Sequence, residues 1–400
     1  MATTPRLVTV RDEAEARAEL LRLGADPEGA RRMAGRMVGR LVKLSAVPCK
    51  AANILKQEML ALGGDAAVAR GTVACQLPAT DVLLIGTDKS LRILARRLAS
   101  QPFGLREVGE EITQLLERLG HPPRHLVGAG VTLTLDRPRI MGVLNLTPDS
   151  FSDGGAFASP DEALRHALQL VADGADILDI GGESTRPGAA EVPTQQELDR
   201  VLPVIERLRQ EVDIPLSIDT TKAEVARAAM AVGVNFINDI SGLTFDSAMV
   251  GVAAATGAGL FLMHTRGAPR TMQQDTAYAD LLGEILASLQ HSLAVATAAG
   301  IATERLAVDP GIGFGKSVAG NLEILRRLGA FHSLGYPVLL GTSRKSFIGK
   351  TLQQESPADR LYGTLATLAL GVASGVQLYR VHDVRAARDV VLMAHAVVGN

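Results

Sequence analysis

Polar and charged side chains recur along this chain at the ends of short apolar runs, in combinations that suit ligand chemistry. Asn145 and Asp153 follow Ile140–Leu146 in GVLNLTPDSFSDGG, and Asp179, Glu183, Ser184, Thr185 and Arg186 follow Ala175–Gly181 in LDIGGESTRPGA. Asp219 ends the run Pro215–Asp219, and Asn238 and Asp239 end Phe236–Ile240. His264 and Arg266 come after Gly259–Met263, and Asp309 and Lys316 stand in DPGIGFGK after Leu306–Asp309. Ser343, Arg344, Lys345 and Ser346 follow Pro337–Gly341, and Arg380, His382 and Asp383 close Gln377–Val381. Unpaired charges at the ends of buried strands cost several kcal/mol each. A private ion pair accounts for any single one of them; their recurrence at every end favours a ligand site.

The residue types divide in two. Asp219, Asn238 and Asp309 suit a flat heterocycle with an amino–imino–carbonyl edge, because a carboxylate accepts from ring N–H groups and an amide both donates and accepts. Arg186, Lys345, Arg380 and His382 suit an anion, with arginine able to grip phosphate through two nitrogens. Both halves in one site imply a heterocycle bearing a phosphate or diphosphate. DPGIGFGKS is not a Walker A loop, which needs glycine where Pro310 stands. Its glycines suit a loop folded closely over a planar ligand. His264 has no orienting partner near it in sequence and reads as a structural histidine rather than an acid–base group.

Positioning these groups requires strands that empty on one face. From about Arg137 the apolar runs alternate with amphipathic stretches at Pro160–Ala172, Gln195–Glu211, Lys222–Val232, Ala277–Ala299, Asn321–Leu334, Pro357–Ser374 and Val384–Val398. Eight strands each followed by a helix predict an α/β fold with a parallel sheet. The count favours a closed (β/α)8 TIM barrel over an open doubly wound sheet. In a barrel the carboxyl ends of the strands converge, so scattered residues become one site.

Residues 1–130 read as a small α/β extension of unknown role before the barrel domain, residues 137–400. A strand is expected at Leu7–Val10, helices at Asp12–Leu23, Arg31–Leu44, Ala51–Leu62, Leu91–Ala99 and Arg106–Leu119, and a buried strand at Asp81–Gly86. The basic residues Arg31, Arg32, Arg36, Arg40 and Lys43 lack aromatic stacking partners and read as a solvated face rather than an RNA site.

Composition narrows the classes further. The 400 residues are 47% hydrophobic with a formal charge of -2, which suits a globular α/β protein and lacks the basic excess of a nucleic-acid or membrane-surface binder. No run approaches the roughly 18 apolar residues of a membrane span, and no secretory leader is visible. Cys49 and Cys75 have no metal-ligand spacing, so two free thiols and a cytoplasmic location are expected.

GVLNLTPDSFSDGG, DIGGESTRPGA, IDT, NDISG, DPGIGFGK, GTSRKSFIG and RVHDV, in that order, resemble the dihydropteroate synthases over about Arg137–Val398. The resemblance implies a (β/α)8 barrel, usually a homodimer, that joins 6-hydroxymethyl-7,8-dihydropterin diphosphate to 4-aminobenzoate with Mg2+. It implies that Asp219, Asn238, Asp309 and Lys345 hold the pterin. Arg380 and His382 would bind the diphosphate, and Asn145 would meet its metal ion. Thr185, Arg186, Pro187, Phe314 and Ser346 would line the aminobenzoate pocket, completed by Phe151 and an Asp153–Arg186 interaction. Lys345, Arg380, His382, Asp153 and Arg186 would carry catalysis. Two alternatives stand beside this reading: a pterin-dependent methyltransferase on a similar barrel, and a pterin-binding protein without catalysis. The extension, absent from shorter members, is read either as an assembly or stabilising domain or as a separate binding module.

Overall fold

The computed structural model describes residues 4–147, 160–186 and 188–399, in two compact units, Met1–His121 and Pro122–Asn400. The second unit carries eight parallel strands: β1 (Arg139–Asn145), β2 (Ile177–Gly181), β3 (Leu216–Asp219), β4 (Phe236–Asp239), β5 (Gly259–Met263), β6 (Leu306–Asp309), β7 (Leu339–Leu340) and β8 (Leu378–Val381). The ladder runs β6-β5-β4-β3-β2-β1-β8-β7. A parallel bridge between Val308 and Val338, with Val308 N–H donating to Pro337 O at 2.9 Å, joins its two ends and closes the barrel.

A helix follows each strand: α1 (Pro160–Ala172), α2 (Thr194–Glu211), α3 (Ala223–Ala231), α4 (Met249–Thr256), α5 (Leu281–Ala298), α6 (Val318–Arg326), α7 (Leu361–Ala373) and α8 (Val384–Val398). Their apolar stripes pack on outward-facing Val, Leu and Ile of the strands, forming the main core. Helix α5 is long and apolar enough to cross a membrane by composition; here it lies against the barrel through Ile285, Leu289, Leu293 and Ala296. Helix α4 and a short helix at Ser346–Leu352 were not expected from periodicity. The expected helix Asn321–Leu334 is α6 followed by a 3-10 segment, Leu328–Leu334.

The amino-terminal end of the barrel is apolar inside. Met141, Ile177, Phe236, Phe261, Ala307, Leu339 and Leu378 form one cluster there, closed by Leu126 and Leu133 from a hairpin, His125–Gly128 with Val131–Thr134. Asn235 ties the hairpin down, its Nδ2 donating to Ala129 O at 2.8 Å.

The first unit is a three-stranded antiparallel sheet, with Ala79–Thr87 between Gly39–Pro48 and Asp65–Val68. Helices Cys49–Ala61, Asp88–Leu98 and Leu105–Gly120 contribute Leu55, Met59, Leu91, Leu94 and Ile112 to its core. Two expectations fail here. Leu7–Val10 joins no sheet, and the helix expected over Arg31–Leu44 ends at Met37. Beyond Gly39 the chain is extended and pairs with Thr87–Val82, because alternation with a strand partner outweighs the helical spacing of the arginines.

Candidate active site

Side chains two residues apart on a strand share a face. Stepping inward from the apolar plug therefore leads to Asp179 from Ile177, Asn238 from Phe236, Asp309 from Ala307, Gly341 from Leu339 and Arg380 from Leu378. Along three neighbouring strands Gly181 pairs laterally with Asp219, and Asp219 with Asn238. Barrel closure thus turns scattered strand ends into a single floor.

Arg380 is the centre of that floor. Its Nε donates to Asp179 Oδ2 and its Nη2 to Asp219 Oδ2, each at 2.6 Å. Asn238 Nδ2 donates to the same Asp179 oxygen at 3.0 Å. Among the described residues, Asp179 Oδ1 and Asp219 Oδ1 are buried without a hydrogen-bond partner. Burial raises Asp219 to a pKa of about 7; the Arg380 charge opposes the rise and the neighbouring Asp179 adds to it. Asp309 is also held above the usual carboxylate range by burial, with Lys345 pulling the other way, and it accepts from Gly311 N–H at 2.6 Å.

Above the floor, Thr185, Asp219, Asn238, Asp309, Phe314, Lys345, Arg380 and His382 line one open cleft of about 430 Å³, with Ile240, Met263, Gly341 and Ser343 completing its wall. Lys345 donates to Ile312 O, lies 4.7 Å from the centre of the Phe314 ring, and has its pKa lowered to about 8, chiefly by burial. His382 Nδ1 and Ser343 Oγ are 2.9 Å apart. Burial, then the charges of Arg380 and Arg344, lower the His382 pKa to about 3. At neutral pH this imidazole therefore offers an anion a ring N–H rather than a positive charge.

Other expected residues lie around the cleft. Asn145 ends β1 beside Gly181, where an added Cβ would meet Asn145 Oδ1 at 3.6 Å and Asp219 Oδ2 at 3.8 Å. Arg186 is exposed, and its charge contributes to the lowering of His382. Ser346 is exposed at the start of its short helix. Phe151, Asp153 and Pro187 lie outside the described residues. Asp179 is the important contributor that the sequence showed only as one charge among many.

Several strand-end charges are structural instead. Arg344 grips Asp383 through two nitrogens, at 2.9 and 2.6 Å. Lys222 bridges Glu183 and the fully buried Glu197, and these carboxylates outweigh its desolvation and raise its pKa. Glu183 in turn accepts from Val192 N–H at 2.9 Å, bracing the loop that carries Thr185 and Arg186. Lys316 is buried, donating to Gly311 O and Phe314 O at 2.9 Å each, and lies 2.9 Å from His264 Nδ1. It locks the DPGIGFGK loop.

His264 is thus structural, as its isolation in sequence implied. Burial, then Lys316 and Arg266, lower its pKa to about 3. The unfolded imidazole takes a proton near pH 6.5, so the stability His264 contributes is complete above that pH and is lost as pH falls toward 3. Relative to His264→Gln, which does not titrate, the parent chain is expected to lose about 2 kcal/mol of stability between pH 7 and pH 5. Urea unfolding of both chains at the two pH values checks this, and a constant difference between them refutes it.

Comparison with known proteins follows the same geography. The family model for pterin binding enzymes matches residues 141–382. Dihydropteroate synthase of Synechocystis sp. is 48% identical over 276 residues, covering 69% of this chain and 96% of that protein. A probable bifunctional folylpolyglutamate synthase/dihydropteroate synthase of Halobacterium salinarum is 41% identical over 370 residues, 92% of this chain and 44% of the halobacterial one. That span is longer than the second unit, so the similarity reaches into the first. The dihydropteroate synthase of Xanthomonas albilineans, solved with 4-aminobenzoic acid, aligns with a TM-score of 0.65 at 45% identity, over 70% of this chain and all of that one. Its complex with 7,8-dihydropteroate aligns at 0.62 and 42%, over 69% and 99%.

Proposed function

The chain belongs to the dihydropteroate synthase family, and on that premise we propose that it condenses 6-hydroxymethyl-7,8-dihydropterin diphosphate with 4-aminobenzoate, giving 7,8-dihydropteroate and diphosphate. The observation that carries this reading is the two-sided cleft, with carboxylates and an amide for a heterocycle and Arg380 and His382 beside them for an anion.

Asp219, Asn238, Asp309 and Lys345 hold the pterin, and Arg380 and His382 receive the diphosphate. Thr185, Arg186, Phe314 and Ser346 serve the aminobenzoate side, a role also proposed for Pro187, Phe151 and Asp153 from the family resemblance alone. In the reaction the bond from the exocyclic methylene to the diphosphate oxygen breaks, a bond to the aryl nitrogen forms, and that nitrogen loses a proton. Arg380 and the His382 ring N–H stabilise charge on the departing oxygen, where fixed donors act most strongly. Electron release from the dihydropterin supports the methylene carbon, so the amine attacks without a strong base.

Mg2+ belongs to the proposal. Among the described residues no three His, Cys, Asp or Glu side chains form a metal cluster, and Asn145 offers a single neutral oxygen. Such a donor set fits an ion held mainly by phosphate oxygens and water, which when bound would neutralise diphosphate charge. A second copy of the chain is proposed to cover Tyr362 and Leu370 of α7 and Met393 and Val397 of α8, which stand exposed on paired helices; a monomer mass in sedimentation at micromolar concentration would remove that part. A cytoplasmic location, in which Cys49 and Cys75 stay reduced, belongs to the proposal.

The test of the reaction is diphosphate release from the pterin substrate in Mg2+, with and without 4-aminobenzoate. Release coupled to dihydropteroate formation supports the reading; tight pterin binding without product, or methyl transfer from a methylated folate instead, would overturn it.

A further inference from the structure

We infer that Asp179 is a positioning residue that fixes which end of the Asn238 amide faces the cleft, and thereby makes the floor an acceptor surface for a ring edge rich in N–H donors. The inference deepens the pterin-binding reading and rests on it.

Asp179 is fully buried on β2 and does not line the cleft. Its Oδ2 receives two donors, Arg380 Nε at 2.6 Å and Asn238 Nδ2 at 3.0 Å. A carboxylate already bonded to a guanidinium only accepts, so a reversed Asn238 amide would set two oxygens against each other at hydrogen-bond distance. The chemistry of the neighbour therefore settles an orientation that amide geometry by itself leaves open. With Nδ2 committed, the carbonyl end of Asn238 is left for the cleft. Beside it on β3 stands Asp219, whose Oδ1 is buried and has no partner among the described residues. Two neighbouring acceptors, with Asp309 two strands further round, match a heterocycle whose exocyclic amine and ring nitrogens carry hydrogens. A ring edge presenting carbonyl oxygens would meet only oxygen. Arg380 depends on the same carboxylate, so Asp179 also sets where the cation waits before a diphosphate arrives.

The test begins with turnover by the parent chain, which establishes the reaction independently of Asp179. Affinity for the pterin diphosphate is then measured by calorimetry without 4-aminobenzoate. Asp179→Leu removes the oxygen that Arg380 Nε and Asn238 Nδ2 share, frees the Asn238 amide to turn, and should weaken pterin binding by roughly 30- to 100-fold, in the range expected when a buried polar match is lost. KM for 4-aminobenzoate should change by less than about twofold, because that ring is bound elsewhere. Asp179→Asn, whose amide oxygen is held toward Arg380 Nε and still accepts from Asn238 Nδ2, should keep most of the affinity. Unchanged binding in Asp179→Leu, or a loss in Asp179→Asn as large as that in Asp179→Leu, overturns the inference. Should Asp179→Leu fail to fold, the parent chain decides the matter. The 2-oxo analogue of the pterin substrate should bind at least about 30-fold more weakly, and equal binding overturns the inference.

Discussion

Arg380→Ala is expected to lower kcat/KM for the pterin diphosphate about a thousandfold, the kinetic equivalent of about 4 kcal/mol. The side chain has two tasks that no neighbour can take over. Through Nε and Nη2 it is the shared partner of Asp179 and Asp219. Removing it leaves two buried carboxylates facing each other, the situation in which breaking a buried ion pair costs about 3–5 kcal/mol. It also removes the cation proposed to meet the leaving diphosphate. Asp219 then rises above its already elevated pKa of about 7, since the Arg380 charge is what holds it down. A protonated Asp219 presents a donor where the ring needs an acceptor, so pterin affinity falls along with kcat. The sign of the pH dependence follows. A carboxylate whose folded pKa is raised penalises the folded state in full above that pKa, and the penalty declines as pH falls from there toward the unfolded value near 3.9. The thermal midpoint of Arg380→Ala should therefore trail the parent by more at pH 8 than at pH 5. Arg380→Lys should rescue little, because one ammonium cannot reproduce a fork that reaches two separate carboxylates. Steady-state kinetics within tenfold of the parent, or a midpoint deficit that grows toward acid, would sink this assignment.

The barrel was legible because its strands carry two signals at once. Runs such as Phe236–Asp239 and Leu306–Asp309 are apolar enough to be buried, yet end in side chains that buried strands avoid unless those groups have work to do. That conflict located the cleft, and eight of the expected residues line it. Periodicity failed where it had nothing to read. Helix α4, MVGVAAAT, is small and apolar on every side, so it shows no face. Gly39–Pro48 carries basic residues at helical spacing, but its extended pairing with Ala79–Thr87 is a tertiary fact with no local signature. Leu7–Val10 alternates like a strand and has no strand to pair with. Nor does local sequence sort the strand-end charges into binding groups and private pairs. Lys316 and Lys345 both follow strands in glycine-bearing loops, and residue type and spacing do not tell them apart; the fold ties the first to three carbonyls and sets the second in the cleft wall. Asp179 is the instructive case. Its strand, ILDIG, is buried throughout, and its importance emerges only when Asn238 and Arg380 arrive from β4 and β8 to share one oxygen.

Gly311→Ala should be the most damaging small substitution in the DPGIGFGK loop, and it separates two costs that glycine usually hides together. Gly311 has φ +69°, a region that L side chains avoid, and a Cβ there would lie 1.9 Å from the backbone oxygen of His264. Nothing nearby can yield cheaply. That oxygen belongs to the chain leaving β5 and receives Lys316 Nζ at 3.3 Å, while Gly311 N–H is spent on Asp309 and Gly311 O on Lys316. Displacing Gly311 therefore moves Asp309 in the floor, Phe314 at the cleft wall and the buried lysine between them. Gly300 is the control: its φ is +81°, but a Cβ there would meet nothing within 4 Å. Gly300→Ala should cost about 1 kcal/mol, the backbone strain alone. Gly311→Ala should cost about 4 kcal/mol, with overpacking added to the strain. At about 2 °C per kcal/mol for a unit the length of Pro122–Asn400, the thermal midpoints should fall by about 2 °C and by about 7 °C respectively. Activity should separate them further, because Gly300 lies in the turn that leads into β6, at the end of that strand opposite Asp309, whereas Gly311 holds Asp309 in place. kcat/KM should be unchanged in Gly300→Ala and reduced at least about a hundredfold in Gly311→Ala. If both variants melt alike and turn over alike, the close approach to His264 is not what fixes the loop, and the coupling of Lys316, His264 and Asp309 argued above fails with it.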